Sequence, residues 1–258
     1  VIALDDFVML GTTVPEPNSD GRVFVCSAGV SPQLRSLIRI YPLARRNAPT
    51  RWSVNSVKLE RNRTDSRPES WKLAGNREPG AHERINDVFE NEGAVSPKER
   101  ADLLARYAVD SITEANEKRL SLAVIHPDEM ALEFEHNPAS PDSPELALFD
   151  VEPRTETGAR RFPYIPRLTF RDPAGPKRPH RLMLRDWGVY ELMRKHNNLT
   201  SMTDTQRRDY VGKALHLDPS CSLLIGNLNN QRNAWLVISV LRGVRAEPDL
   251  FAEMAVAS

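Results

Sequence analysis

The side chains best placed for chemistry begin with Asp65-Ser66-Arg67-Pro68-Glu69, two carboxylates flanking one guanidinium. Asp65 and Glu69, with Asp186 farther along, are the candidate catalytic groups, suited to acid-base or metal-assisted phosphodiester chemistry. The competing account is structural. The planar fork of Arg67 matches a carboxylate, so Asp65 or Glu69 would orient it through a bidentate bridge. Asp186 stands directly before Trp187-Gly188-Val189, where a helix cap accounts for it without any reaction. Proximity in sequence does not supply a full ligand set, so no metal site is assigned and no cofactor is expected.

Binding chemistry is better represented. From Leu34 to Lys72 the chain carries ten Arg or Lys against three Asp or Glu. Within it, Arg39 and Tyr41 share one face of a period-two pattern, pairing a phosphate-seeking group with a ring on which a base can stack. Arg45, Arg46 and Arg67 extend the positive character. A second basic region runs from Arg160 to Arg185, with Phe162, Tyr164, Leu168 and Phe170 interleaved; Tyr164, Arg178 and Arg185 are its candidate contacts. Later, Asn227 could read a base edge and Arg232 could hold a phosphate. The bland account of all these cations is solvated sheet faces, paired to the acidic stretch from Glu129 to Glu156, which holds eight Asp or Glu and one Arg.

The whole chain is neutral, with 35 basic and 35 acidic residues in 258, so each basic region is a local feature. That length can bury a core without staples. The two cysteines, Cys26 and Cys221, lie in apolar segments and read as small buried hydrophobes. No charged leader precedes an apolar core and no apolar run could cross a bilayer, so the expected setting is cytoplasmic, with no membrane partner. Walker and Rossmann glycine signatures are absent, which disfavours nucleotide hydrolysis and dinucleotide redox chemistry.

The elements that must position these groups are mostly strands. Val1 to Leu10 reads as an edge strand or docking arm, and Arg22–Gly29, Leu34–Tyr41, Trp52–Leu59, Ser121–Ile125 and Arg181–Leu184 as strands. A hairpin joins Cys221–Ile225 to Ala234–Leu241. Ser96-Pro97-Lys98-Glu99 signals a capping box that opens a helix running towards Asn116 or Lys118. Further helices follow Asp186 and Thr203, the latter with Gln206 three residues on. The fold class expected is α+β, with mixed or antiparallel sheets, a small β barrel being one form, packed with several helices. Three regions are expected: 1–128, an acidic connection at 129–159, and 160–258, the first and last packing as one compact unit.

The order of Cys26-Ser27-Ala28-Gly29-Val30, Leu37-Ile38-Arg39-Ile40-Tyr41-Pro42, Asp65-Ser66-Arg67-Pro68-Glu69-Ser70, Ser121-Leu122-Ala123-Val124-Ile125-His126-Pro127, Asp186-Trp187 and Leu224-Ile225-Gly226-Asn227 resembles an uncharacterised prokaryotic protein family. The resemblance covers about Arg22 to Leu241 and implies a coherent domain, with no reaction to carry over. Related sequences place a Cys/His turn before the tryptophan helix and a histidine after the Gly-Asn strand end. Here those positions hold Arg181–Asp186 and Asn227-Leu228-Asn229-Asn230, so the resemblance brings no metal site. Arg39, Tyr41, Asp65, Arg67, Glu69, Arg185, Asp186 and Asn227 are the residues expected around one cleft.

The functional expectation is a protein that binds DNA or RNA through two basic-aromatic regions. The alternatives are a nucleic-acid-processing enzyme, such as a phosphodiesterase or nucleobase-processing enzyme, and a structural module that binds a protein partner.

Overall fold

Strand β1 (Ile2–Thr12) is long because Phe7, Met9 and their neighbours alternate between two buried faces. It pairs antiparallel with both β3 (Val23–Ser31) and β5 (Ser53–Arg61), bending at irregularities near Leu4–Phe7 and Met9–Gly11. The computed structural model describes residues 1–17, 23–44, 48–75, 88–137, 162–175, 178–218, 220–229 and 231–242. Within these, β4 (Ser36–Leu43) pairs with β3 and, in parallel, with β6 (Ser70–Leu73), which returns to β5. The circuit β1-β3-β4-β6-β5-β1 closes a five-stranded barrel. The short β2 (Glu16–Pro17) joins at β3 and β7 (Phe89–Ala94) at β5. The expected edge strand is therefore the barrel's closing stave. Closure leaves β1 no free edge.

Alternation sorts the barrel residues into two cores. Phe7, Met9, Ile38, Ile40, Val57, Leu59 and Trp71 pack together inside the barrel. Val8, Leu10, Ala28, Val30 and Leu37 face outward and pack on a second sheet through Leu122, Val124, Leu224 and Ile238. That sheet has the order β14-β13-β9-β8, made of β8 (Ala108–Val109), β9 (Leu122–Ile125), β13 (Ser222–Leu228) and β14 (Gln231–Leu241). Its far side meets a third sheet, β10 (Glu129–His136), β11 (Tyr164–Arg171) and β12 (His180–Met183), and three helices. Arg39 and Tyr41, two and four residues beyond the outward-facing Leu37, fall on the barrel face directed at the second sheet.

Four α-helices complete a barrel-containing α+β fold: α1 (Pro97–Ala105), α2 (Ile112–Glu117), α3 (Trp187–Lys195) and α4 (Asp204–Leu215). The single helix expected from Pro97 to Asn116 or Lys118 is broken. Ala108 and Val109 leave the helical path to pair in parallel with Val124 and Ile125. Ser111 then accepts from the Glu114 amide and starts a new helix. The capping groups at Ser96–Glu99 and Thr203–Gln206 are present, as is the antiparallel β13–β14 hairpin. The segment expected as an acidic connection begins with strand β10; residues 138–159 lie outside the described residues. No helix among the described residues is long and apolar enough to cross a membrane.

Candidate functional site

Arg39 reaches from β4 towards the second sheet, and it is only 4% exposed. Its Nη2 donates to the Ser121 carbonyl at 2.8 Å and its Nη1 lies 3.5 Å from Cys26 Sγ. No carboxylate ion-pairs with it among the described residues. Its Nε is buried with no acceptor. A buried cation without a counter-ion is costly, and a buried donor without an acceptor adds to that cost. Gly226 makes the reach possible: a Cβ there would stand 3.1 Å from Arg39 Nη2.

The carboxylate nearest in the chain's turn is engaged elsewhere. Glu69 accepts from the Ser121 amide at 3.1 Å and the Ser121 hydroxyl at 2.7 Å, and it is buried. Ser121 therefore receives Glu69 on its N–H and hydroxyl and Arg39 on its carbonyl. The Asn227 amide shares that carbonyl at 3.1 Å. Ser121 is the connecting residue that sequence reading missed, since nothing about a serine at a strand start distinguishes it.

Asp65 grips Arg67 by the bidentate bridge that the fork geometry favours, with Nε to Oδ1 at 2.8 Å and Nη2 to Oδ2 at 2.5 Å. The Ser70 hydroxyl and the Arg67 amide complete its shell. Burial by itself would raise the Asp65 pKa, but the hydrogen bonds from Arg67 and Ser70 outweigh it and lower the value. The carboxylate is thereby held ionised and aims Arg67, whose Nη1 donates to the Asn227 carbonyl at 2.6 Å. The Asn227 side chain donates through Nδ2 to the carbonyls of Leu120 and Arg232. Its Oδ1 is buried with no donor.

These groups surround a cavity of about 320 Å³ between barrel and sheet. Arg39, Tyr41, Asp65, Arg67, Arg185 and Asn227 all line it, gathered from three distant parts of the chain. Tyr41 meets Phe24 edge-on at 6.5 Å between ring centroids, giving the cavity an aromatic wall. Burial first, then the neighbouring Cys26 and Glu16, raises the Tyr41 phenol above its usual range, so the ring stays neutral near pH 7. Arg185 is ion-paired with Glu16 at the same cavity. Cys26, expected to be an inert buried thiol, is a half-buried part of the lining.

Other candidates lie elsewhere. Asp186 is not in the lining: its Oδ1 caps α3 at the Gly188 amide, while Oδ2 accepts from Arg51, Ser239 and the Val240 amide. Tyr164 lies beneath the Arg207 guanidinium, 3.8 Å from ring centroid to Cζ. Arg178 is in an exposed bend away from the cavity. Arg45 and Arg46 lie outside the described residues. Among the described residues, three cations of the second basic region are paired by β10: Arg167 by Glu135, Arg181 by Glu133 and Arg171 by Glu129. Arg232 stands on the exposed hairpin beside a neighbouring groove. Among the described residues no three His, Cys, Asp or Glu side chains gather to hold a metal ion.

Residues 106–255 match the model of a family described as Domain of unknown function (DUF8757), and the chain belongs to that family. Residues 4–104 match a second model, Domain of unknown function (DUF8758). The cavity draws on both matched regions, with Arg39, Tyr41 and Arg67 from the first and Arg185 and Asn227 from the second. No curated protein and no solved structure matches the chain.

Proposed function

We propose that the protein binds nucleic acid by taking one nucleotide, base first, into the cavity between the barrel and the β14-β13-β9-β8 sheet. One observation carries this reading. The cavity brings Arg39, a buried cation with no ion-paired carboxylate among the described residues, to the same walls as the Asn227 amide and the Tyr41–Phe24 rings. A cation buried without a counter-ion is costly, so a ligand that brings an anion or acceptor to it is the economical partner. A nucleotide brings phosphate oxygens and base-edge acceptors, and its flat base suits the Tyr41–Phe24 wall. The volume is at the lower end of small-molecule sites, which suits a single nucleotide.

Binding through an insertion pocket differs from the extended basic face expected from composition. The carboxylates at Glu129, Glu133 and Glu135 already occupy Arg171, Arg181 and Arg167 of the second region. The reading is of binding and assigns no turnover, because Asp65, Glu69 and Asp186 each use their oxygens to hold neighbouring groups in place.

The test is a titration of labelled single-stranded DNA and RNA at low salt, with wild type, Tyr41→Leu and Arg39→Lys. Wild-type association should weaken as salt rises. Loss of a stacking ring should cost about 1–3 kcal/mol per base, roughly five- to 160-fold in affinity. Arg39→Lys should weaken binding while thermal melting shows a folded chain. Absence of association with either polymer, or full affinity in both variants, would refute the proposal.

A further inference from the structure

Beside the cavity lies a groove of about 250 Å³ whose lining includes Arg67, Arg119, Arg232, Asn116, Asn227 and Asn233. Among the described residues no carboxylate lines it. Arg67 and Asn227 line both spaces, so the groove begins where the cavity ends. Of its three guanidinium groups, only that of Arg67 is matched by an acid, Asp65. Arg119 has no ion pair among the described residues; its amide donates to the Asn116 carbonyl. The Arg232 guanidinium lies 3.4 Å from the Ser66 hydroxyl and has no ion pair among the described residues. Asn116 accepts from Trp235 Nε1 at 2.9 Å through Oδ1, which leaves its Nδ2 donor for the groove.

The groove is thus rich in donors and carries two uncompensated positive charges. Exposed cations are hydrated and need no partner, but Arg119 and Arg232 sharing one groove without an ion pair among the described residues make a surface fitted to an anion. We infer that this groove is the phosphate channel of the nucleotide cavity: Arg119 and Arg232 contact the phosphodiester adjoining the inserted nucleotide. The inference rests on the cavity reading and adds a substrate class, a single strand that continues past the pocket. A duplex would have to unpair to supply such a strand.

Salt dependence separates the two ideas. Each phosphate contact on a single strand contributes about 0.7 to the slope of log affinity against log salt. The Arg119→Gln/Arg232→Gln double variant should therefore lower the slope for an oligonucleotide of about ten residues by roughly 1.4, equally for DNA and RNA. Both positions are exposed, so folding is not at stake. Tyr41→Leu should weaken binding of the same oligonucleotide without changing the slope. An unchanged slope in the double variant overturns the channel and leaves the cavity reading standing. A normal affinity in Tyr41→Leu with a lowered slope in the double variant overturns the cavity reading and keeps the groove as an anion site. An acidic peptide of equal charge that binds as tightly as the oligonucleotide, and is displaced by the double variant's loss of charge in the same way, overturns the nucleic-acid assignment of the groove.

Discussion

Arg67 Nη1 donates to the backbone carbonyl of Asn227 at 2.6 Å, across 160 residues of sequence. The contact joins the loop before β6 to the end of β13, and so the barrel to the second sheet. Arg39 makes a parallel link 82 residues long to Ser121. Both cations are held by groups from the opposite half, so the cavity exists only when the two halves are packed together.

Asp65 makes the first link depend on pH. Its folded pKa lies below the ordinary value of 3.8, because the Arg67 and Ser70 hydrogen bonds overcome the effect of burial. A lowered carboxyl pKa contributes stability that is whole above the unfolded value and is lost as pH falls through the folded one. Asp65→Asn should lower stability near neutrality by about 1–3 kcal/mol. Denaturant midpoints should show that deficit shrinking below about pH 4, as the wild-type carboxylate takes up its proton. A deficit constant across that range would mean that the charge of Asp65 contributes nothing.

Gly226 controls the second link. A Cβ there would stand 2.7 Å from Ile238 Cδ1 as well as 3.1 Å from Arg39 Nη2, in a buried strand. Gly226→Ala should cost about 1–3 kcal/mol from overpacking. It should also weaken oligonucleotide binding by displacing the guanidinium. Melting and titration together check this; a destabilised variant with wild-type affinity would show that the position of Arg39 does not matter to the ligand.

Tyr190 offers a stability prediction remote from the cavity. Its hydroxyl is fully buried with no hydrogen-bond partner, and burial pushes its pKa up to about 12. A raised phenol pKa contributes stability that is whole below the unfolded value of 10.0 and is lost as pH rises towards the folded one. Tyr190→Phe removes the unpaired hydroxyl and keeps the edge-on contact with Phe162 at 4.8 Å. It should raise stability by about 1 kcal/mol near neutrality and by more at about pH 11, read from denaturant midpoints. A loss of stability would show that the hydroxyl has a partner.

Local pattern was legible where local physics decides. Alternation placed Ile38 and Ile40 on one face and Leu37, Arg39 and Tyr41 on the other, and the capping signals at Ser96, Asp186 and Thr203 mark real helix starts. Long-range pairing was not. Closure of the barrel through Ile2–Val8 against Val54–Leu59 leaves no mark in either segment alone. The helix expected from the capping box towards Asn116 or Lys118 ran through Ala108 and Val109, which β9 draws into a strand. Arg67 with Asp65 was readable from the fit of fork and carboxylate. The absence of a counter-ion at Arg39 was not, because it depends on Ser121 occupying Glu69.

The most direct measurement is a crystal structure with a short single-stranded oligonucleotide. The account predicts a nucleotide in the cavity, in contact with the Arg39 and Asn227 side chains and with its base against Tyr41. A strand bound elsewhere, with only solvent between barrel and sheet, would contradict it.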